Sequence, residues 1–152
     1  MKGFTLVEIL VSIAIIVLTS GGSLIAFLNY RDRRTAQDDA NAVVERLRTV
    51  QVKASAVEGP SACSSVANYQ ATLVNNQLTV VANCPGVGLV NLPDLVLTLA
   101  NSSFVGSKTI NFDSRTVSSN GGTVDICGNK NLYRVTVNQA ANVSRPVYVG
   151  GC

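Results

Sequence analysis

An α+β fold, in which a long N-terminal helix packs on a C-terminal antiparallel β-sheet, is the class that this 152-residue chain predicts. Three observations predict it. Residues Leu6 to Leu28 form an apolar run interrupted by one charge. Apolar residues then recur at steps of four and three, at Ala36, Ala40, Val43, Leu47, Val50, Ala54 and Val57, the spacing of one helix face. From residue 59 onward the composition shifts to Asn, Ser, Thr, Val and Gly, arranged as short alternating runs between turn residues.

The first run, LVEILVSIAIIVLTSGGSLIAFL, holds 23 residues. As a helix it would measure about 35 Å, enough to cross a hydrocarbon layer of about 30 Å. A cleaved secretory signal would have a shorter apolar region and a small-x-small site behind it. Ser20-Gly21-Gly22-Ser23 imitates such a site, but Leu24, Ile25, Ala26, Phe27 and Leu28 resume the apolar pattern at once. Gly21 and Gly22 each cost about 1 kcal/mol relative to alanine in a helix interior, so this stretch is expected to be a point of softening.

Glu8 is the anomaly of the run. A carboxylate at the bilayer centre costs about 2.5 to 3.5 kcal/mol, and charges at that depth are usually paired. No Lys, Arg or His follows until Arg31. Glu8 therefore either sits solvated at headgroup depth or finds its partner on another chain.

The second helical half carries Asp38, Asp39, Glu45, Arg46, Arg48 and Lys53 opposite its apolar stripe, and Glu58-Gly59-Pro60 is a stop signal. Three heptads are the lower limit for a coiled coil, so the stripe is expected to dock on the chain's own sheet. Expected strands are Tyr69–Val74, Leu78–Ala82, Leu95–Leu99, Thr109–Phe112, Thr123–Cys127, Leu132–Val137 and Pro146–Val149. Turns are expected at Asn75-Asn76, Pro85-Gly86, Asn101-Ser102, Asn120-Gly121-Gly122 and Gly128-Asn129.

Cys63, Cys84, Cys127 and Cys152 include no Cys-x-x-Cys pair, and the chain has no histidine. Zinc sites usually show short ligand spacings, so no metal is expected and disulfides in an oxidising compartment are. Four cysteines allow three connectivities; Cys63–Cys84 with Cys127–Cys152 is preferred, because each joins neighbouring segments and the second tethers the C-terminus. Lys2 on one side of the apolar run and Arg31, Arg33 and Arg34 on the other would, by charge alone, keep the C-terminal domain inside; the cysteines argue for the outside.

Composition also excludes. Without histidine, a serine or cysteine nucleophile lacks its usual base, and Asp94, Asp113 and Asp125 sit in no motif, so no enzyme and no cofactor are expected. Gly86-Val87-Gly88 and Gly121-Gly122 lack the surroundings of a nucleotide loop. Net charge is only +3, and residues 59 to 152 hold five basic against three acidic side chains. A nucleic-acid surface would have to use the dispersed Lys108, Arg115, Lys130, Arg134 and Arg145.

Gly3-Phe4-Thr5-Leu6-Val7-Glu8, followed by an apolar helix, resembles the class III leader of type IV prepilins and type II secretion pseudopilins. The resemblance implies a pilin fold. It implies that a prepilin peptidase cuts between Gly3 and Phe4 and methylates the new amine of Phe4. Glu8, fifth in the mature chain, would then neutralise the amine of a neighbouring subunit during assembly. The implied division is 1–3 leader, 4–28 transmembrane and assembly helix, 29–58 amphipathic helix, and 59–152 disulfide-containing sheet domain. The implied glycine softening acts as subunits pack, since Ile25 stands where many relatives have proline. Implied partners are other pilins in a filament, the peptidase, an inner-membrane assembly platform and membrane lipid; the C-terminal domain would lie outside the cytoplasmic membrane before assembly, and in an extracellular or periplasmic filament afterwards.

A second resemblance, carried by Ile110-Asn111-Phe112 and Leu132-Tyr133-Arg134-Val135-Thr136-Val137-Asn138, is to the H-type pseudopilin and fimbrial minor-pilin group. Where that group often has a Gly-Arg turn, this chain has Gln139-Ala140-Ala141-Asn142-Val143-Ser144-Arg145. The leading expectation is a structural filament subunit; the alternative is a minor pilin or pseudopilin of a secretion or DNA-uptake apparatus.

Overall fold

The computed structural model describes residues 5–116 and 118–152, and within the helix it leaves out the side chains of residues 20–24. One helix, α1, runs unbroken from Leu6 to Ala56 over 51 residues. Thr5 caps its start: the residue is extended, and its side chain accepts from the Glu8 amide at 3.3 Å. The backbone remains helical through Gly21 and Gly22. At the other end Val57 adopts a left-handed conformation (φ 52°), and the amides of Val57 and Glu58 return to the carbonyls of Ala54 and Lys53. The Tyr69 hydroxyl donates to the Glu58 carbonyl and pins this reversal to the sheet. The helix therefore ends ahead of Glu58-Gly59-Pro60, and Val57, expected on the buried stripe, is 52% exposed.

Among the described residues nine strands follow: β1 (Asn68–Val74), β2 (Gln77–Cys84), β3 (Gly88–Asn91), β4 (Leu97–Thr98), β5 (Ser102–Phe104), β6 (Lys108–Asp113), β7 (Gly122–Gly128), β8 (Asn131–Val137) and β9 (Val147–Gly151). They form two antiparallel sheets rather than the single one expected. The first has the order β3-β2-β1-β6, with β4 also paired to β2; the second is β5-β7-β8-β9. The chain crosses between sheets after β4, returns at β6 and crosses again at β7. Alternation within a strand assigns faces and not partners, so the division could not be read locally.

Three other expectations change. Pro93 opens a 3-10 turn, Pro93–Leu95, that buries Leu95, so the strand expected over Leu95–Leu99 shrinks to Leu97–Thr98. Ser102, expected in a turn, opens β5, where it and Phe104 are buried on one side. β3 carries too few apolar residues to signal a strand; its pairing with β2 makes it one.

Helix and sheets share one core. Ala36, Ala40, Val43, Leu47, Val50 and Ala54 are almost fully buried, joined by Val44. They meet Tyr69, Ala71 and Leu73 of β1, Ile110 and Phe112 of β6, Val124 and Ile126 of β7, and Tyr133, Val135 and Val137 of β8 in one buried cluster. Removing each such side chain from water contributes about 1.5 to 3 kcal/mol for the larger ones.

Helix and second sheet come close together at Gly128. A Cβ there would lie 3.0 Å from the Ala36 Cβ and would strike the Ser102 hydroxyl. Small residues on both sides let the backbones meet. Gly128→Val is expected to destabilise the domain by about 1 to 3 kcal/mol through overpacking, seen as a lower denaturant midpoint; an unchanged midpoint would show that the helix yields freely.

Candidate assembly surface

Among the described residues, the apolar side chains of the N-terminal half of α1 lie open on the surface. Leu6, Val7, Ile9, Leu10, Val11, Ile13, Ile15, Ile16, Val17, Leu18, Ile25, Phe27 and Leu28 are all exposed. A helix apolar all round is stable when lipid or other helices surround it. Two of its hydroxyls are satisfied within the helix: Ser12 donates to the Glu8 carbonyl at 2.7 Å and Thr19 to the Ile15 carbonyl at 2.9 Å. Among the described residues, which lack the side chains of 20–24 inside this run, no helix is long and apolar enough to cross a membrane.

Glu8 lies in the first turn of the helix, where a negative charge favours the dipole. Among the described residues no cation comes within 4 Å of its carboxylate. Gly3 and Phe4 lie outside the described residues, so their sequence-based roles have no structural counterpart here. Gly21 and Gly22 lie within the uncovered half, in helical backbone.

Two disulfides brace the folded domain. Cys63–Cys84 closes the loop after the helix onto the end of β2, and Cys127–Cys152 ties β7 to the chain end beyond β9.

The basic residues considered for nucleic acid are not brought together. Arg134 holds Asp125 through two hydrogen bonds of 2.7 and 2.8 Å. Lys108, Lys130 and Arg145 border three separate hollows, and Arg115 sits in the turn after β6. Arg145 shares its hollow with Arg48 and with Asp38 and Glu45, whose charges offset the two arginines.

Two carboxylates are held below the usual range. Amides of Thr116 and Arg115 hydrogen-bond Asp113, and the Arg134 guanidinium hydrogen-bonds Asp125 and adds its charge. A depressed folded value contributes stability above the unfolded value of about 4, lost as pH falls through the folded one. The denaturant midpoint is therefore expected to hold from pH 7 to about 5 and to drop below about 4. Asp125→Asn should lower the midpoint at pH 7 only slightly, since the pair is partly open to solvent, and should shrink the acid loss. An undiminished acid loss would place its origin elsewhere.

One cluster was missed by sequence reasoning. The Arg33 guanidinium lies 4.3 Å from the centre of the Tyr148 ring, and Tyr148 packs edge-on to Tyr133 at 5.6 Å. Arg34 faces Asp38 at 3.4 Å. Arg33, counted only as flanking charge from the sequence, touches the sheet domain, whereas Arg34 pairs within its own helix. The available signal was the aromatic Tyr148 in a strand near the chain end.

Residues 1–24 match the family model of the prokaryotic N-terminal methylation motif. No curated protein matches the chain. Among solved structures, the minor pseudopilin EpsH from the type II secretion system of Vibrio cholerae is similar, at 13% identity and a TM-score of 0.53, covering 79% of this chain and 96% of that one.

Proposed function

We propose that this chain, which carries the N-terminal motif and the fold of the type IV pilins and pseudopilins, is a structural subunit of a type IV pilus or related filament. The observation that carries the reading is the exposed apolar half of α1 with a carboxylate near its tip that has no cation within 4 Å among the described residues. Such a surface is unstable in water and complementary to copies of itself. In the proposed cycle residues 6 to 28 hold the subunit in the cytoplasmic membrane with its disulfide-bearing domain outside. Prepilin peptidase removes residues 1 to 3 and methylates Phe4. The assembly platform then transfers the helix from lipid to its neighbours, where Glu8 meets the amine of Phe4 on another subunit. Gly21 and Gly22 supply the weak point at which the helix adjusts to packing.

The second reading, a minor subunit at a filament tip, draws on the likeness to a minor pseudopilin. Abundance separates the two. Mass spectrometry of sheared filaments is expected to find N-methylated Phe4 as first residue and this chain as the main component. A chain that still begins at Met1 in filaments overturns the processing step; a trace amount overturns the main-component reading in favour of the minor one.

A further inference from the structure

A hollow of about 320 Å³ opens where α1 leaves its apolar half, lined by Tyr30, Arg33, Arg34, Tyr133 and Tyr148 and by no carboxylate. We propose that it binds the phosphate headgroup of an anionic membrane lipid while the subunit is held in the bilayer. The proposal rests on the membrane-held reading of residues 6 to 28.

Depth is the first argument. Tyr30 and Arg33 follow Leu28 by two and five residues, about 3 and 8 Å further along the helix. The headgroup layer extends about 5 to 8 Å beyond the hydrocarbon, and helical side chains lean back toward the N-terminus. Both side chains thus fall at headgroup level, where tyrosines are favoured. The second argument is charge. Among the described residues no carboxylate lies within 4 Å of Arg33. Tyr148 covers one face of its guanidinium, which leaves the N–H edge to take a phosphate oxygen. Arg34 is shared with Asp38, but that contact is 3.4 Å long with both side chains about 60% exposed, so a phosphate can compete for it. On the far side of Arg33, Lys130 offsets Asp32. The third argument is the wall. Tyr148 of the edge strand β9, 43% exposed, and Pro146 just before it line the hollow, an apolar rim suited to the glycerol and upper acyl carbons.

The test is amide hydrogen exchange of the full chain in phosphatidylcholine vesicles with increasing phosphatidylglycerol. Exchange at 147–149 is expected to slow as the anionic lipid rises, and Arg33→Gln, at an exposed position, should need about fivefold more of it. Arg115→Gln removes the same charge away from the hollow and should change nothing; an equal shift overturns a site in favour of diffuse attraction. Equal protection from glycerol phosphate in detergent, or no dependence on the anionic lipid, also overturns the proposal. A chain that does not float with phosphatidylcholine vesicles at all instead overturns the membrane-held reading.

Discussion

Glu8→Ala is expected to leave the subunit in the membrane and to remove it from filaments. The described part of the protein offers Glu8 no cation within 4 Å, so deleting the carboxylate breaks no ion pair among the described residues. Insertion should be unaffected or slightly favoured, because a carboxylate near the hydrocarbon is a cost. In a filament the same deletion would strand the amine of a neighbouring Phe4 among apolar helices. Breaking a buried pair in this way costs about 3 to 5 kcal/mol, a loss of about two to four orders of magnitude in incorporation. Quantifying the subunit in sheared filaments and in the membrane fraction checks both halves of the expectation. Normal filament content would show that register is set by the apolar surface alone.

Removing the two disulfides together is expected to abolish the fold of the domain at physiological temperature. Cys63–Cys84 and Cys127–Cys152 span 21 and 25 residues. By the chain-entropy relation each contributes about 3 to 4 kcal/mol, against a total of about 5 to 15 for a small domain. The Cys127→Ser/Cys152→Ser pair alone should lower the denaturant midpoint and speed hydrogen exchange in β9, because β9 then keeps only its pairing with β8. Arg33 should lose its hold on Tyr148 as a result. A midpoint equal to that of the oxidised protein would mean that the apolar core holds the edge strand unaided.

Much of this architecture was legible because its signals are local. The stripe from Ala36 to Ala54 is buried as its spacing requires, and the alternation from Leu132 to Val137 appears in β8. Helix termination was legible only approximately: glycine and proline marked the region, but the capping bonds of Val57 and Glu58 and the Tyr69 hydroxyl fixed the residue. Of the candidate assembly surface, the apolar run and Glu8 were plain from composition. The surroundings of Arg33 were not, because Tyr148 lies more than a hundred residues away along the chain.

The sequence by itself determined the elements and the anomaly: a long apolar helix start with one carboxylate, an amphipathic continuation and short strands rich in turn residues. Periodicity and side-chain chemistry act over a few residues, so a single pass along the chain detects them. Only the tertiary structure decided that the strands divide into two sheets, that Gly128 admits Ala36 of the helix, and which of three connectivities closes the cysteines. These are choices among distant partners, settled by packing of the whole core, and no local pattern encodes which partner wins.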